Sequence, residues 1–303
     1  MAKNHRFGKS DRTMVRSDGT VRLNFDIDSV ESFLEVAQMG RDSIDAGLPQ
    51  GFMTDPDQMV EEDPQWSPMK FEEFKEALRK GDFSESLEAF DEAMLEINEG
   101  IESAKVVYDV TGDAVDIGRY LSGVPENMVS IVKDGTDMPV VSVIVSIGGS
   151  HRITAEELTQ KAAAIAGVLE WIRGSGIGVE LFAGKANVSS DLEWHRFVRV
   201  AASWESWDVQ TVSMMCGHVS TFRSGFFTAD NSLSENAKEY IMSRGSSTAA
   251  DRFSIPEYAS ARPCVVIGPH RGGHFDPLKL IEAIREVVDE GRLEDGSFPV
   301  VEL

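Results

Sequence analysis

The chain has 303 residues, of which 42% are apolar and 26% are charged, a composition typical of a soluble globular protein. It contains no apolar run near the roughly 20 residues that a membrane helix needs, and residues 1–22 lack the apolar core of a signal peptide. The formal charge of −22 argues against broad nucleic-acid binding, because phosphate backbones are held chiefly by lysine and arginine.

Positive charge is concentrated before residue 23, where six basic residues face only Asp11 and Asp18. This pattern predicts that residues 1–22 form a flexible basic arm in solvent, with contact to nucleic acid as the alternative. The basic residues of the arm are Lys3, Arg6, Lys9, Arg12, Arg16 and Arg22.

Residues 23–135 are predicted to form a smaller α+β domain. Apolar residues recur at helical spacing in residues 30–37, 71–78 and 87–97. Between the first two helices, the acidic stretch 47–68 is expected to be a solvated loop, since its spacing does not match a calcium-binding loop. Two short β-rich runs around the turn Thr111-Gly112-Asp113 predict a strand hairpin.

Residues 136–303 are predicted to form the main α/β domain. Residues 140–145 are almost all apolar, as expected for a central strand covered on both faces. Thr154 and Glu157 form a capping box that begins a long helix, and residues 177–182 form the next strand. Residues 196–201 follow too closely for a crossover helix, so they are expected to pair antiparallel with that strand at the sheet edge.

The remaining elements complete an open α/β sheet. Residues 209–226 have the spacing of one helix, and Ser232 with Glu235 predicts the cap of another. A buried strand over 263–268 and a helix begun by Asp276 and Pro277 follow. The predicted fold is therefore α/β: a mostly parallel sheet with helices on both faces and one antiparallel edge strand, preceded by the smaller α+β region.

The loop after the first strand of this sheet is the predicted ligand-binding loop, because ligands of open α/β sheets lie at the carboxyl ends of the strands. Its glycines and the helix that follows could also hold a phosphate, with Arg152 or Arg271 assisting. The loop lacks the Gly-Lys-Ser/Thr ending of a nucleotide-binding loop. The loop residues are Ser146, Gly148, Gly149, Ser150 and His151.

Histidines mark the same edge of the predicted sheet. His270, His274 and Asp276 follow the late strand, and His151 follows the first one. Together they could ligate a divalent transition metal, or a histidine could act as general base beside Ser150. The simpler interpretation makes Asp276 a helix cap and the two late histidines part of a turn, so no cofactor is favoured.

Two other pairs of residues are expected to be structural. His195 and His218 lie in apolar surroundings, the latter inside a predicted helix, and are expected to be core histidines. Cys216 and Cys264 are expected to be buried thiols in a reducing compartment, which favours the cytoplasm.

The order of elements over residues 139–290 resembles the von Willebrand factor type A fold, in the version found in cobaltochelatase-like subunits that work with ring ATPases. In that family the loop after the first strand reads Asp-x-Ser-x-Ser and binds a divalent cation. The matching positions here are Ser146, Gly148 and Ser150, and Pro269 and His270 stand where a second aspartate is expected. The resemblance thus implies a degenerate metal-binding loop and, as one partner, a ring ATPase.

A second resemblance joins residues 108–123 to residues 148–154. These segments are similar to an uncharacterised family encoded mainly by tailed bacteriophages and prophages. That likeness implies a protein made in a bacterial host cytoplasm, with a virion protein as another partner, and it carries no activity.

Three functional hypotheses follow from these observations. The first is a non-enzymatic, phage-associated module for protein interaction or assembly. The second is a metal- or histidine-dependent hydrolase acting on phosphate esters or nucleic acid, with His151, His270 and His274 as candidate catalytic residues. The third is a virion or DNA-packaging component that uses the basic arm.

Overall fold

A computed structural model provides the fold of the chain. It describes residues 12–15, 21–47, 55–63, 68–100, 107–109, 114–115, 120, 122–125, 128–130, 140–147, 153–188, 192–202, 207–233, 238, 263–268, 275–290 and 300–301. None of the helices in these ranges has both the length and the apolar character that crossing a bilayer requires.

Within the described ranges, ten strands make two sheets. The strands are β1 (Arg12–Val15), β2 (Val21–Ile27), β3 (Val107–Asp109), β4 (Ala114–Val115), β5 (Met128–Ser130), β6 (Val140–Ser146), β7 (Gly178–Val188), β8 (Leu192–Ala201), β9 (Cys264–Ile267) and β10 (Val300–Val301). The main sheet has seven strands in the order β1-β2-β8-β7-β6-β9-β10, and β3, β5 and β4 form a separate small sheet.

Helices supply the rest of the described secondary structure. They are α1 (Val30–Asp45), α2 (Pro56–Glu62), α3 (Phe71–Lys80), α4 (Glu85–Gly100), α5 (Ala155–Gly174), α6 (Val209–Gly217), a π-helix (Thr221–Phe226), α7 (Phe227–Asp230) and α8 (Pro277–Glu290). The chain therefore has the predicted α/β fold.

The mostly parallel sheet and its antiparallel pair are confirmed. Strands β10, β9, β6 and β7 run parallel, and β8 returns antiparallel to β7. The position of β8 differs from the prediction, because β2 pairs parallel with it over residues 21–27 and places it inside the sheet. The antiparallel edge strand is instead β1, which pairs with β2.

The N-terminal segments belong to the main sheet and its core. Residues 12–15, expected to lie in a flexible arm, form β1, and Arg22 lies in β2. Buried side chains of α1 and α3, among them Phe33 and Phe74, share one hydrophobic cluster with Val143 of β6. One core therefore spans the boundary expected near residue 135.

Three local predictions were wrong. Strands β3 and β4 do not form a hairpin with each other, since each pairs antiparallel with β5. The acidic stretch 47–68 contains α2, which begins at Pro56 after the Asp55 side chain accepts a hydrogen bond from the Asp57 N–H (3.0 Å). The expected helix 209–226 breaks at His218, whose extended backbone ends α6 before the π-helix.

The central strand β6 is covered on both faces, as its apolar sequence predicted. Val141, Val143 and Val145 contribute to the large cluster, whereas Ile144 belongs to a smaller cluster on the opposite face. Alternation along a strand sends neighbouring side chains to opposite faces, so a strand buried on both sides must be apolar at nearly every position.

Two glycines allow the backbones of neighbouring helices to approach each other closely. A Cβ atom at Gly40 of α1 would overlap the carbonyl oxygen of Thr228 in α7. A Cβ atom at Gly217 would overlap the carbonyl oxygen of Leu158 in α5. Any larger residue would push these helices apart and disturb their close packing.

A buried ionic network joins α7 to the main sheet. Lys185 of β7 donates a hydrogen bond to Asp230 of α7, and the Arg196 Nε of β8 lies 3.4 Å from the same carboxylate. The side chains of all three residues are at most 4% exposed. The Lys185 Nζ also lies 4.9 Å from the ring centre of Trp194 and 4.6 Å from that of Phe227, which adds cation–π attraction.

We expect Asp230→Asn to lower the free energy of unfolding by about 3–5 kcal/mol, because it leaves two buried cations without their shared anion. Urea denaturation of both proteins at neutral pH measures this change. Glu76→Gln, which removes the partner of Lys80 in an exposed ion pair, serves as the control and should have little effect. An equally small effect of Asp230→Asn would show that the network does not stabilise the fold.

Candidate functional site at the carboxyl edge of the sheet

The carboxyl ends of β6 and β9 lie side by side in the main sheet. Val145 of β6 pairs with Ile267, the last residue of β9. Strand β6 ends one residue later, at Ser146. After β6 the chain continues through α5 to β7 on one side, and after β9 it continues through α8 to β10 on the other. Such a reversal of direction is the place where open α/β sheets bind ligands.

The structure places two of the predicted site residues. Ser146 is the last residue of β6 and is 3% exposed. Asp276 accepts hydrogen bonds from the Leu278 N–H (3.0 Å) and the Lys279 N–H (3.4 Å), so it caps α8 as the simpler interpretation predicted. Gly148, Gly149, Ser150, His151, His270 and His274 lie outside the described residues.

The helix that follows the predicted loop begins with the expected capping box. The Glu157 N–H donates to Thr154 Oγ1 (3.2 Å), and the Thr154 N–H donates to Glu157 Oε2 (2.8 Å). These two bonds satisfy donors that the first turn of a helix otherwise leaves unpaired. They fix the start of α5 at Ala155.

Lys161 of α5 is the main feature of this edge that sequence reasoning missed. Its Nζ donates hydrogen bonds to the carbonyl oxygens of Ser146 (3.3 Å) and Gly268 (3.1 Å), and the residue is 1% exposed. A single buried ammonium therefore bridges the carboxyl ends of β6 and β9. It lies directly beside the start of both predicted site loops.

The sequence gives the position of this lysine on its helix but not the burial of its ammonium. Leu158, Lys161, Ile165, Val168 and Ile172 follow each other at steps of three and four residues, which places the lysine on the apolar stripe of the helix. A lysine in such a position usually packs its aliphatic stem on the apolar surface and extends its ammonium into solvent. Here the helix is covered along this stripe, and the ammonium is held inside.

The environment of Lys161 disfavours its charge. Burial lowers the pKa of Lys161 to about 8, and the nearby Cys216 opposes that shift slightly. Burial also raises the pKa of the Cys216 thiol to about 12, so the thiol is neutral at neutral pH. No carboxylate within the described ranges pairs with Lys161, and no group of three metal-ligating side chains occurs there. At pH 7 the edge therefore contains a mostly protonated ammonium whose hydrogen-bond partners are neutral carbonyl groups.

The structure also describes His195, His218 and both cysteines. His195 of β8 is fully buried and stacks on Phe197 with ring centres 6.0 Å apart, which confirms a core histidine. Cys216 and Cys264 are both buried free thiols, as predicted. His218 does not lie within a helix, because it is the residue that ends α6.

A comparison with protein families shows which family the chain belongs to. The model of a domain of unknown function, DUF7192, matches residues 11–270. The chain belongs to this family. The DUF7192 match includes β1, the edge strand of the main sheet, and ends at His270 after β9. No curated protein and no solved structure matches the chain.

The lowered pKa of Lys161 predicts a pH dependence of stability. Below about pH 8 the folded chain holds an unfavourable buried charge, while the unfolded chain keeps its lysine protonated until about pH 10.5. Stability therefore rises as the pH increases through this window. We expect the unfolding free energy of the wild type, relative to Lys161→Met, to rise by about 3 kcal/mol across it.

Urea denaturation at about pH 7 and about pH 10 measures this difference. Comparing the two proteins at each pH cancels the opposite contribution of the buried Cys264, which is common to both. Lys279→Met removes an exposed lysine and should reproduce the pH profile of the wild type. Parallel profiles of wild type and Lys161→Met would contradict a buried, charged Lys161.

Proposed function

We propose that the protein is a non-enzymatic, phage-associated module for protein interaction or assembly, which binds its partner at the carboxyl edge of the main sheet. The observation that carries this proposal is the ammonium of Lys161, held by the carbonyl oxygens of Ser146 and Gly268. The phage association is taken from the sequence resemblance of residues 108–123 and 148–154.

The charge at this edge disfavours the divalent cation that the von Willebrand A resemblance would place there. Ser146 replaces the first carboxylate of that family's loop, so a main attraction for a metal is missing. The ammonium of Lys161 adds repulsion. At a separation of about 5 Å and an effective dielectric constant of about 20, it costs about 3 kcal/mol for each unit of positive charge brought in.

The same ammonium favours a partner with negative charge. A buried cation normally has a counter-ion, and among the described residues the Lys161 ammonium bonds only to neutral carbonyls. A carboxylate of a partner protein that reaches this edge would supply the missing charge. A fixed lysine would then do what a bound cation does in an adhesion site, without depending on a metal supply.

The proposal is tested first against the hydrolase hypothesis. We expect the protein purified without a tag to contain no stoichiometric transition metal by elemental mass spectrometry. We also expect no turnover of a nitrophenyl phosphate ester or of labelled single-stranded DNA. Stoichiometric zinc, nickel or manganese, lost together with turnover in the variant His151→Ala/His270→Ala/His274→Ala, would overturn the proposal in favour of a hydrolase.

The partner site is tested by capture from the cells that produce the protein. Wild type, Lys161→Met and Lys279→Met are compared as baits with quantitative mass spectrometry. A specific partner should be retained by the wild type and by Lys279→Met and should be lost from Lys161→Met. Since removing a buried charge is expected to stabilise the fold, loss of the partner would report on binding and not on unfolding. Equal retention by all three baits would place the contact elsewhere.

A further inference from the structure

A cavity of about 770 Å³ opens beside the N-terminal half of α5. It lies between the turn after α3, the first two turns of α4, the first turns of α5 and the residue that ends α6. Its volume is in the range that proteins use to bind small molecules or peptide side chains. Apolar side chains line part of its wall, among them Met69, Phe83 and Ala89.

His218 places a polar group in the wall of this cavity. Its Nδ1 accepts a hydrogen bond from the Ser220 N–H (3.1 Å), and its ring meets Phe83 edge to face with centres 4.8 Å apart. Removal from bulk solvent lowers the pKa of His218 to about 4, so the ring is neutral at pH 7. With Nδ1 as acceptor, the proton lies on Nε2, which donates to no described residue.

Solvent-exposed carboxylates line the cavity. Glu85, Glu88 and Glu92 follow each other at steps of three and four residues, so they lie on one face of α4 and span about 10 Å along its axis. Glu156 of α5 lines the cavity with them. Within the described residues, none of these four side chains forms an ion pair or a hydrogen bond. The cavity thus combines a partly apolar wall, the Nε2–H donor of His218 and a set of unpaired carboxylates.

We propose that this cavity binds a basic peptide segment of a partner protein. The aliphatic stems of lysine or arginine would pack against the apolar wall, and their charged ends would pair with the carboxylates of α4. The Nε2–H of His218 would donate to a carbonyl oxygen of the peptide backbone. In an extended peptide, side chains on one side recur about every 7 Å, so alternate basic residues match the length of the acidic face.

The inference deepens the proposed function by naming a second partner chemistry, and it therefore rests on that function. The sheet edge and the cavity have opposite charge. Lys161 favours binding of an acidic group at the edge, whereas the glutamates of α4 favour binding of a basic group in the cavity. The two contacts can be tested separately because they depend on different residues.

Fluorescence anisotropy with a labelled nine-residue peptide, in which lysine alternates with serine, tests the cavity directly. We expect the wild type to bind this peptide and to ignore the version with glutamate in place of lysine. Glu85→Gln/Glu88→Gln/Glu92→Gln should weaken binding by about tenfold, the effect of losing a few partly exposed ion pairs. Ala89→Trp, which occupies part of the cavity without changing its charge, should weaken binding as strongly.

The matched control is Asp28→Asn/Glu35→Gln/Asp91→Asn, which removes the same number of exposed carboxylates outside the cavity. It should leave peptide affinity within about twofold of the wild type. Equal weakening by both triple variants would show general attraction to an acidic protein and overturn the inference, as would undiminished binding to Ala89→Trp or no binding to the wild type.

A failure of this inference can be told apart from a failure of the proposed function. Lys161→Met should retain peptide binding, since Lys161 does not line the cavity. Metal content and turnover measured on the same preparation report on the sheet edge alone.

Discussion

The packing of α7 on the main sheet depends on one buried carboxylate, Asp230. It is fully buried and interacts with Lys185 of β7 and Arg196 of β8, so it joins α7 to the two longest strands of the main sheet. Burying these charges is tolerable only because they neutralise one another in part, which makes their relative positions specific. Through α7 and the π-helix, this contact also sets the position of α6 and of His218 in the cavity wall.

Lys161 and Lys185, both buried between helices and the main sheet, have different partners. Lys185 has a carboxylate and aromatic rings around it, whereas the hydrogen-bond partners of Lys161 among the described residues are two carbonyl oxygens. A paired buried charge is a structural element, whereas a buried charge without a counter-ion costs stability that a bound anion could restore. That difference is why the proposed function is assigned to the edge beside Lys161 and not to the Lys185 network.

The first turns of α5 connect both proposed contacts. Lys161 faces inward to the strand ends, while Glu156 on the preceding turn lines the acidic cavity. A partner that carries acidic and basic segments could contact both places at once, and linking two weak contacts raises the overall affinity without a new interaction. An assembly module with a net charge of −22 would gain selectivity from such paired contacts, because bulk attraction to basic surfaces alone does not distinguish partners.

The sequence by itself determined the features that depend on local patterns. These include the buried strand β6, the capping box of α5, the Asp276 cap of α8 and the antiparallel pairing of β7 with β8, since hydrophobic periodicity and short loops specify them. Only the tertiary structure decided that β2 pairs with β8, that the helical segment breaks at His218, and that Lys161 is buried at the strand ends. Each of these depends on contacts between residues far apart in the chain, and a lysine on a helix has no local property that distinguishes a buried ammonium from a solvated one.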